Sequence, residues 1–277
     1  EWAYYFCDGC PLGYSAVGGQ TLNPYGRKIF ESGGSSSGSA VAVAANYAVA
    51  AVGTETAGSI LSPSSKNAVV GLKPTIGLLS RTGIVPISST LDTPGPITRS
   101  VIDNAIFLQA MTGKDPADKA SVSTAANYLN AVQDPSMEGK RIGVMTSLMT
   151  DSLYSRAVAQ MSSLGATLVE YETPEVSLEG FLTLLNMDMK KDLPEYLDAH
   201  AGDEVPERTI EDVVNFNLQD SVLRAPYGQT LFENIVLDTT SREELEQVKK
   251  DLQENGRRFF DLPMQAHDLD AVLSIDN

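Results

Sequence analysis

A chain of 277 residues with 42% apolar side chains is long enough to bury a substantial core and has the composition of an ordinary globular protein. Its formal net charge of −16 falls unevenly: residues 1–112 balance their acids and bases, and the whole excess lies in residues 113–277. This excludes the basic footprint that nucleic-acid binding needs, and no apolar run is long and uncharged enough for a membrane span. The acidic half reads as a solvated face or as a rim that attracts cationic peptides.

In chain order, residues 1–32 read as irregular, broken by Gly9, Pro11, Gly13, Gly18, Gly19, Asn23, Pro24 and Gly26. They carry the only cysteines, Cys7 and Cys10. A lone C-x-x-C suits a disulfide or half a zinc site. Zinc needs two further ligands, and only the distant His200 and His267 remain, so the pair reads as structural and no metal is expected. The almost uncharged stretch Ala40–Val52 reads as buried helix, with the helix running from Ser39 to Ala51. Val69–Leu72, Gly77–Leu79 and Ile84–Ile87 suit short strands or irregular core segments. Val101–Met111 predicts a helix closed by Gly113. A strand at Arg141–Met145, a helix with a stripe of Leu153, Ala157, Val158, Met161 and Leu164, a cap at Gly165 and a strand at Thr167–Tyr171 make a parallel unit with a right-handed crossover. Leu178–Leu262 reads as helical, with a stripe of Leu245, Val248, Leu252 and Phe259, and Leu269–Ile275 returns to the sheet. The class is α/β, a mixed β-sheet core covered by helices on both faces.

Two segments carry chemistry. The loop Gly33-Gly34-Ser35-Ser36-Ser37-Gly38-Ser39 and the turn Gly53-Thr54-Glu55-Thr56-Ala57-Gly58-Ser59 both place a serine on a backbone built to bend. Paired in this way they suggest a nucleophile, a second serine beside it, and backbone N–H groups aimed at one small space. A serine hydroxyl needs a base, and residues 1–112 contain no histidine. A phosphate-binding reading of the loop fails because Gly38 is followed by Ser39-Ala40 where a P-loop has Lys and Ser/Thr.

The loop and turn, continued by Gly71-Leu72-Lys73-Pro74-Thr75, Ser80-Arg81-Thr82-Gly83 and Leu91-Asp92-Thr93-Pro94-Gly95-Pro96-Ile97-Thr98-Arg99-Ser100, resemble the amidase signature family over residues 12–112. Within that family Ser35–Asn46 looks most like the bacterial peptide amidases, which hydrolyse the C-terminal carboxamide of peptides. The resemblance implies that Ser59 is the nucleophile and that Ser35, following a cis peptide bond after Gly34, bridges it to a neutral lysine. Thr56, Ala57 and Gly58 would supply the oxyanion hole, and Gly34, Ser36 and Thr54 would support the site. Glu55 and Ala57 stand where Asp and Gly are common in the family. Lys73 matches a different family position and reads as structural, so the implied lysine is expected before Glu1. The abrupt start at Glu1-Trp2-Ala3-Tyr4 and the strand-like end at Val272–Asn277 fit an internal segment of a longer chain. The expected organisation is one domain over 1–277: a core at 1–112 bearing the serines, then at 113–277 the strand–helix–strand unit and a helical substrate-side region. The expected activity is hydrolysis of a small-molecule or peptide amide without a cofactor. The alternatives are a non-catalytic remnant and the glutamine-hydrolysing component of an amidotransferase.

Overall fold

The computed structural model describes residues 9–133 and 136–275. In chain order the elements are β1 (Tyr14–Ser15), β2 (Gly19–Gln20), α1 (Ser37–Ala44), β3 (Ala50–Glu55), α2 (Leu61–Lys66), β4 (Val70–Gly71), β5 (Thr93–Thr98), α3 (Val101–Met111) and α4 (Tyr128–Ala131). There follow β6 (Arg141–Met145), α5 (Ser152–Ser163), β7 (Thr167–Tyr171), α6 (Phe181–His200), α7 (Ile210–Leu218), α8 (Ser221–Arg224), α9 (Thr230–Leu237), α10 (Arg242–Gly256), α11 (Leu262–Ala266) and β8 (Ala271–Leu273). The described residues gather into two compact units, one formed by residues 9–132 with Leu185–Thr239, the other by Gln133–Leu184 with residues 240–275.

The first unit is built on an antiparallel sheet in the order β3-β5-β4. Its centre, β5, carries Pro94 and Pro96, and every residue of it is buried. Two prolines normally argue against a central strand because each lacks a ladder donor. Here the Pro96 carbonyl accepts from Leu72 N, so Pro94 and Pro96 turn their main-chain groups toward β4, which pairs only opposite Ile97 and Thr98. Thr93, Gly95 and Ile97 keep the ladder with β3 intact. The sequence pattern does not announce this strand, and of the two readings open for Gly77–Leu79 and Ile84–Ile87 the irregular one holds: both are loops and turns.

The stretch expected as one helix to Ala51 is instead helix, turn and strand. Asn46 sits at φ 62°, and Tyr47 N and Ala48 N both return to the Ala42 carbonyl, closing α1 in the manner of a left-handed cap. Val49 and Val52 then favour extension, and pairing with β5 completes β3. Ala40 and Val43 of α1 pack with Ile60 and Ile97 into a core from which water is excluded. A second cluster joins Met189 and Leu193 of α6 to Ile210, Val214, Phe232 and Ile235, with Ile87 against it. Ser100 caps α3 by accepting from Asp103 N, and α3 has the expected bounds.

The second unit holds the parallel sheet β7-β6-β8 with α5 as the crossover. The mixed α/β class therefore divides into antiparallel pairing in one unit and parallel pairing in the other. Of the stripe on α5, Val158 is buried and Ala157 and Met161 are half-buried as expected, whereas its ends Leu153 and Leu164 are exposed and Tyr154 is buried instead. Tyr154 lies outside the expected apolar stripe, yet its ring fills the core and its hydroxyl is satisfied, accepting from Met145 N and donating to Leu273 O. On α10 the expected Leu245, Val248 and Leu252 are half-buried, as is Phe259 beyond it; Lys249 and Asn255 are half-buried beside them. Among the described residues no helix is long and apolar enough to cross a membrane.

Candidate functional site

The Gly/Ser loop runs directly into α1 and the turn joins β3 to α2, so both segments are fixed by regular structure on one side or both. The structure brings them together. Ser36 N donates to the Ser59 carbonyl at 3.1 Å. The Ser36 hydroxyl accepts from Thr54 N and donates to the Thr54 carbonyl, both at 3.0 Å. Ser39 Oγ donates to the Val52 carbonyl at 2.8 Å. Ser36 is buried, and Ser35 and Ser59 are half-buried. The Gly34–Ser35 peptide bond is cis.

The loop is pinned from its other side as well. Gly33 has φ 67°, and a Cβ there would stand 2.6 Å from Pro63 Cα, so only glycine lets the loop lie against α2. Asn67, wholly buried, donates from Nδ2 to the Ser32 and Pro63 carbonyls at 2.8 Å each. Ser37 Oγ donates back to the Gly33 carbonyl at 2.5 Å.

The turn has three anchors. Gly58, at φ 82°, takes the left-handed backbone that turns the chain into Ser59, and its carbonyl accepts from Ser62 N at 2.7 Å. Glu55, only 3% exposed, accepts from Ile60 N at 2.8 Å and Leu61 N at 3.0 Å through one oxygen. Its side chain thereby closes a ring around Thr56, Ala57, Gly58 and Ser59 and satisfies amides at the start of α2. Thr56 Oγ1 donates to Asp92 Oδ1 at 2.5 Å, while Asp92 Oδ2 accepts from Ile87 N and Ser88 N. Burial pushes the Asp92 carboxyl above the usual carboxylate range, against the three hydrogen bonds that favour its charged form.

The same Asp92 lines a cleft of about 290 Å³ with Arg81, Ser89, Asp118, Asp192 and Tyr196. Arg81 and Asp118 form a 2.9 Å ion pair in its wall, and the Arg81 hydrogen bond is the main reason the Asp118 carboxyl is held down at about 2. Asp188 and Asp192 of α6 fix the neighbouring loop, accepting from Ser88 Oγ at 2.5 Å and Ser89 N at 2.6 Å.

The predicted residues Ser35, Ser36, Thr54, Thr56 and Ser59 thus lie on two segments stitched to one another. Glu55, Asn67 and Asp92 are anchors that the sequence pattern does not single out. For Glu55 the signal is present, a carboxylate just before a helix start; for Asp92 the partner is too distant in the chain to be read. His200 lies on the same cleft, its ring tilted against Tyr196 with centroids 4.7 Å apart. His267 lies in the second unit against Tyr171. Lys73 is half-buried in the loop after β4. Cys10 is buried and not a free thiol; Cys7 and the start at Glu1–Tyr4 lie outside the described residues, as do Asp276 and Asn277. Among the described residues no group of three or more His, Cys, Asp or Glu gathers as a metal site.

A probable amidase of Arabidopsis thaliana is 32% identical over 99% of this chain, which covers 56% of that protein. The solved peptide amidase of Stenotrophomonas maltophilia shares 38% identity with a TM-score of 0.91, over 98% of this chain and 58% of its own. A glutamyl-tRNA(Gln) amidotransferase component from Roseobacter denitrificans is 37% identical over 66% of this chain and 39% of its own length. The chain thus spans about half the length of the curated relatives it matches. The model of the Amidase family matches residues 10–274, a span that takes in the stitched loop and turn and both compact units: the chain belongs to the amidase family.

Proposed function

We propose that the protein is an amide hydrolase that releases ammonia from a carboxamide at the C-terminus of a peptide. The observation that carries this reading is the hydrogen bond from Ser36 N to the Ser59 carbonyl, because it holds the two serine-bearing segments against each other. Ser59 Oγ attacks the amide carbon, forming the C–O bond, while its proton passes to Ser35 and the Ser35 proton passes to a neutral lysine. Backbone N–H groups of Thr56, Ala57 and Gly58 hold the oxyanion. The intermediate collapses with cleavage of the C–N bond, the proton returns to the leaving nitrogen, and ammonia departs. Water then hydrolyses the Ser59 ester, with no cofactor required. The likeness to a peptide amidase at 38% identity supports the substrate class, and the acidic cleft beside Asp92 suits substrates bearing a cationic side chain.

A second reading, the glutamine-hydrolysing component of an amidotransferase, draws on the 37% identity to the Roseobacter protein. The full-length protein separates the two: ammonia release from a peptide amide without partners supports the hydrolase, and turnover of glutamine only with partner proteins supports the rival. Ser59→Ala is expected to abolish ammonia release and labelling by a fluorophosphonate probe. An active Ser59→Ala variant, or a full-length protein without turnover on any amide, overturns the proposal.

A further inference from the structure

We propose that Asp92 is a positioning residue for this reaction, acting through the Thr56 hydroxyl to hold the amide donors of the 56–59 turn in place; the inference rests on the hydrolase reading above. Asp92 touches no reacting atom in this assignment. Its Oδ1 takes the Thr56 hydroxyl at 2.5 Å, and its Oδ2 takes Ile87 N at 2.8 Å and Ser88 N at 2.9 Å. One carboxyl therefore ties the turn to a loop that α6 fixes independently, through Ser88 Oγ on Asp188 and Ser89 N on Asp192. Glu55 anchors the C-terminal exit of the turn and Thr56 its entrance, so the residues between them are held at both ends.

The chemistry needs such a tie. Oxyanion donors act because they are fixed before charge develops, and a displaced donor is a lost one. A hydrogen bond to a carboxylate is stronger than one between neutral groups, and it fixes the Thr56 rotamer as well as its backbone. Thr56 is only half-buried, so packing alone leaves that rotamer open. The groups facing Asp92 are Asp192, which disfavours its charge, and Arg81, which lies in the same cleft wall and is itself engaged by Asp118. Burial raising the Asp92 carboxyl fits a group retained for position at some cost to its own ionisation.

The test is a double-mutant cycle in the full-length protein, using a peptide amide as substrate and following kcat and KM separately. Thr56→Val keeps shape and backbone N–H but removes the hydroxyl; kcat is expected to fall roughly 10- to 100-fold with KM within about twofold. Thr56→Ser, which keeps the donor, is expected to retain most of the rate. Asp92→Asn is expected to lower kcat in the same direction, and the double variant Thr56→Val/Asp92→Asn to be no worse than the poorer single one. Thermal unfolding of each variant accompanies the kinetics. Losses that multiply in the double variant, a rise in KM at unchanged kcat, or wild-type turnover by Thr56→Val would overturn the inference while Ser59→Ala stays inactive. If Ser59→Ala retains turnover, the hydrolase reading fails first and this inference falls with it.

Discussion

Replacing Glu55 by Ala removes a side chain that bridges the end of β3 to the start of α2. Two amides lose their acceptor. Ile60 is wholly buried, so its N–H has no route to water, whereas Leu61 is partly exposed and its N–H can be hydrated. An unsatisfied buried donor costs about 1–3 kcal/mol, and the loss of a helix-start acceptor adds roughly 1 kcal/mol, so the expected destabilisation is about 2–4 kcal/mol. For a domain of this size that corresponds to a Tm lower by roughly 5–15 °C. Glu55→Gln keeps a carbonyl oxygen at the same reach and is expected to lose roughly 1 kcal/mol. Urea unfolding followed by circular dichroism measures both variants, and the rate at which a fluorophosphonate labels Ser59 reports the turn itself. The reasoning requires Ala to be markedly worse than Gln in both assays. An Ala variant within about 0.5 kcal/mol of wild type would show that solvent reaches Ile60 N and that Glu55 does not hold the turn.

Two further outcomes follow from other parts of the molecule. Tyr154→Phe leaves the Met145 amide and the Leu273 carbonyl without their shared hydroxyl, and should cost about 1–3 kcal/mol in denaturant titration with little change in far-ultraviolet dichroism. Asp118, 5% exposed and held at about 2 by Arg81, stabilises the fold above its unfolded pKa, and that contribution is lost as pH falls from near 3.8 toward 2. Asp118→Asn should therefore reduce stability at pH 7 by roughly 1–2 kcal/mol and flatten the acid limb of the stability curve, measured as Tm against pH.

What the sequence discloses, it discloses through short-range chemistry. The β6–α5–β7 unit is readable because a helical stripe between two short apolar runs has few other solutions, and α3 because its run stops at Gly113. The loop and the turn are visible as clustered glycines and serines. Residues joined across the chain are hidden. Prolines conceal β5, since their missing donors matter only on the side where β4 is short. Asp92 and Asn67 hold the site through partners 36 and 35 residues away, and no local pattern announces such a partner. Tyr154 is lost to a hydrophobic tally that ignores what a satisfied hydroxyl can bury.

The way Ser36 meets Thr54 has a consequence for how placement is inherited. Thr93, Gly95 and Ile97 ladder onto Glu55, Gly53 and Ala51, so Val52 and Thr54 turn their main-chain groups away from β5, to the open edge of the sheet. There a neighbouring strand would offer one donor and one acceptor to Thr54; the Ser36 hydroxyl offers both, and Ser39 takes the Val52 carbonyl one step along. Two hydroxyls three residues apart on the first turn of a helix thus imitate a missing strand. They shield an edge that would otherwise invite foreign pairing. They also make the serine loop a reader of strand register. A slip of β3 by one residue would present Gly53 and Glu55 in place of Val52 and Thr54, with the opposite face outward, and the loop would have nothing to grip. The alignment of the two serine-bearing segments is in this sense written into the pairing of β3 with β5, in residues that carry neither Ser35 nor Ser59.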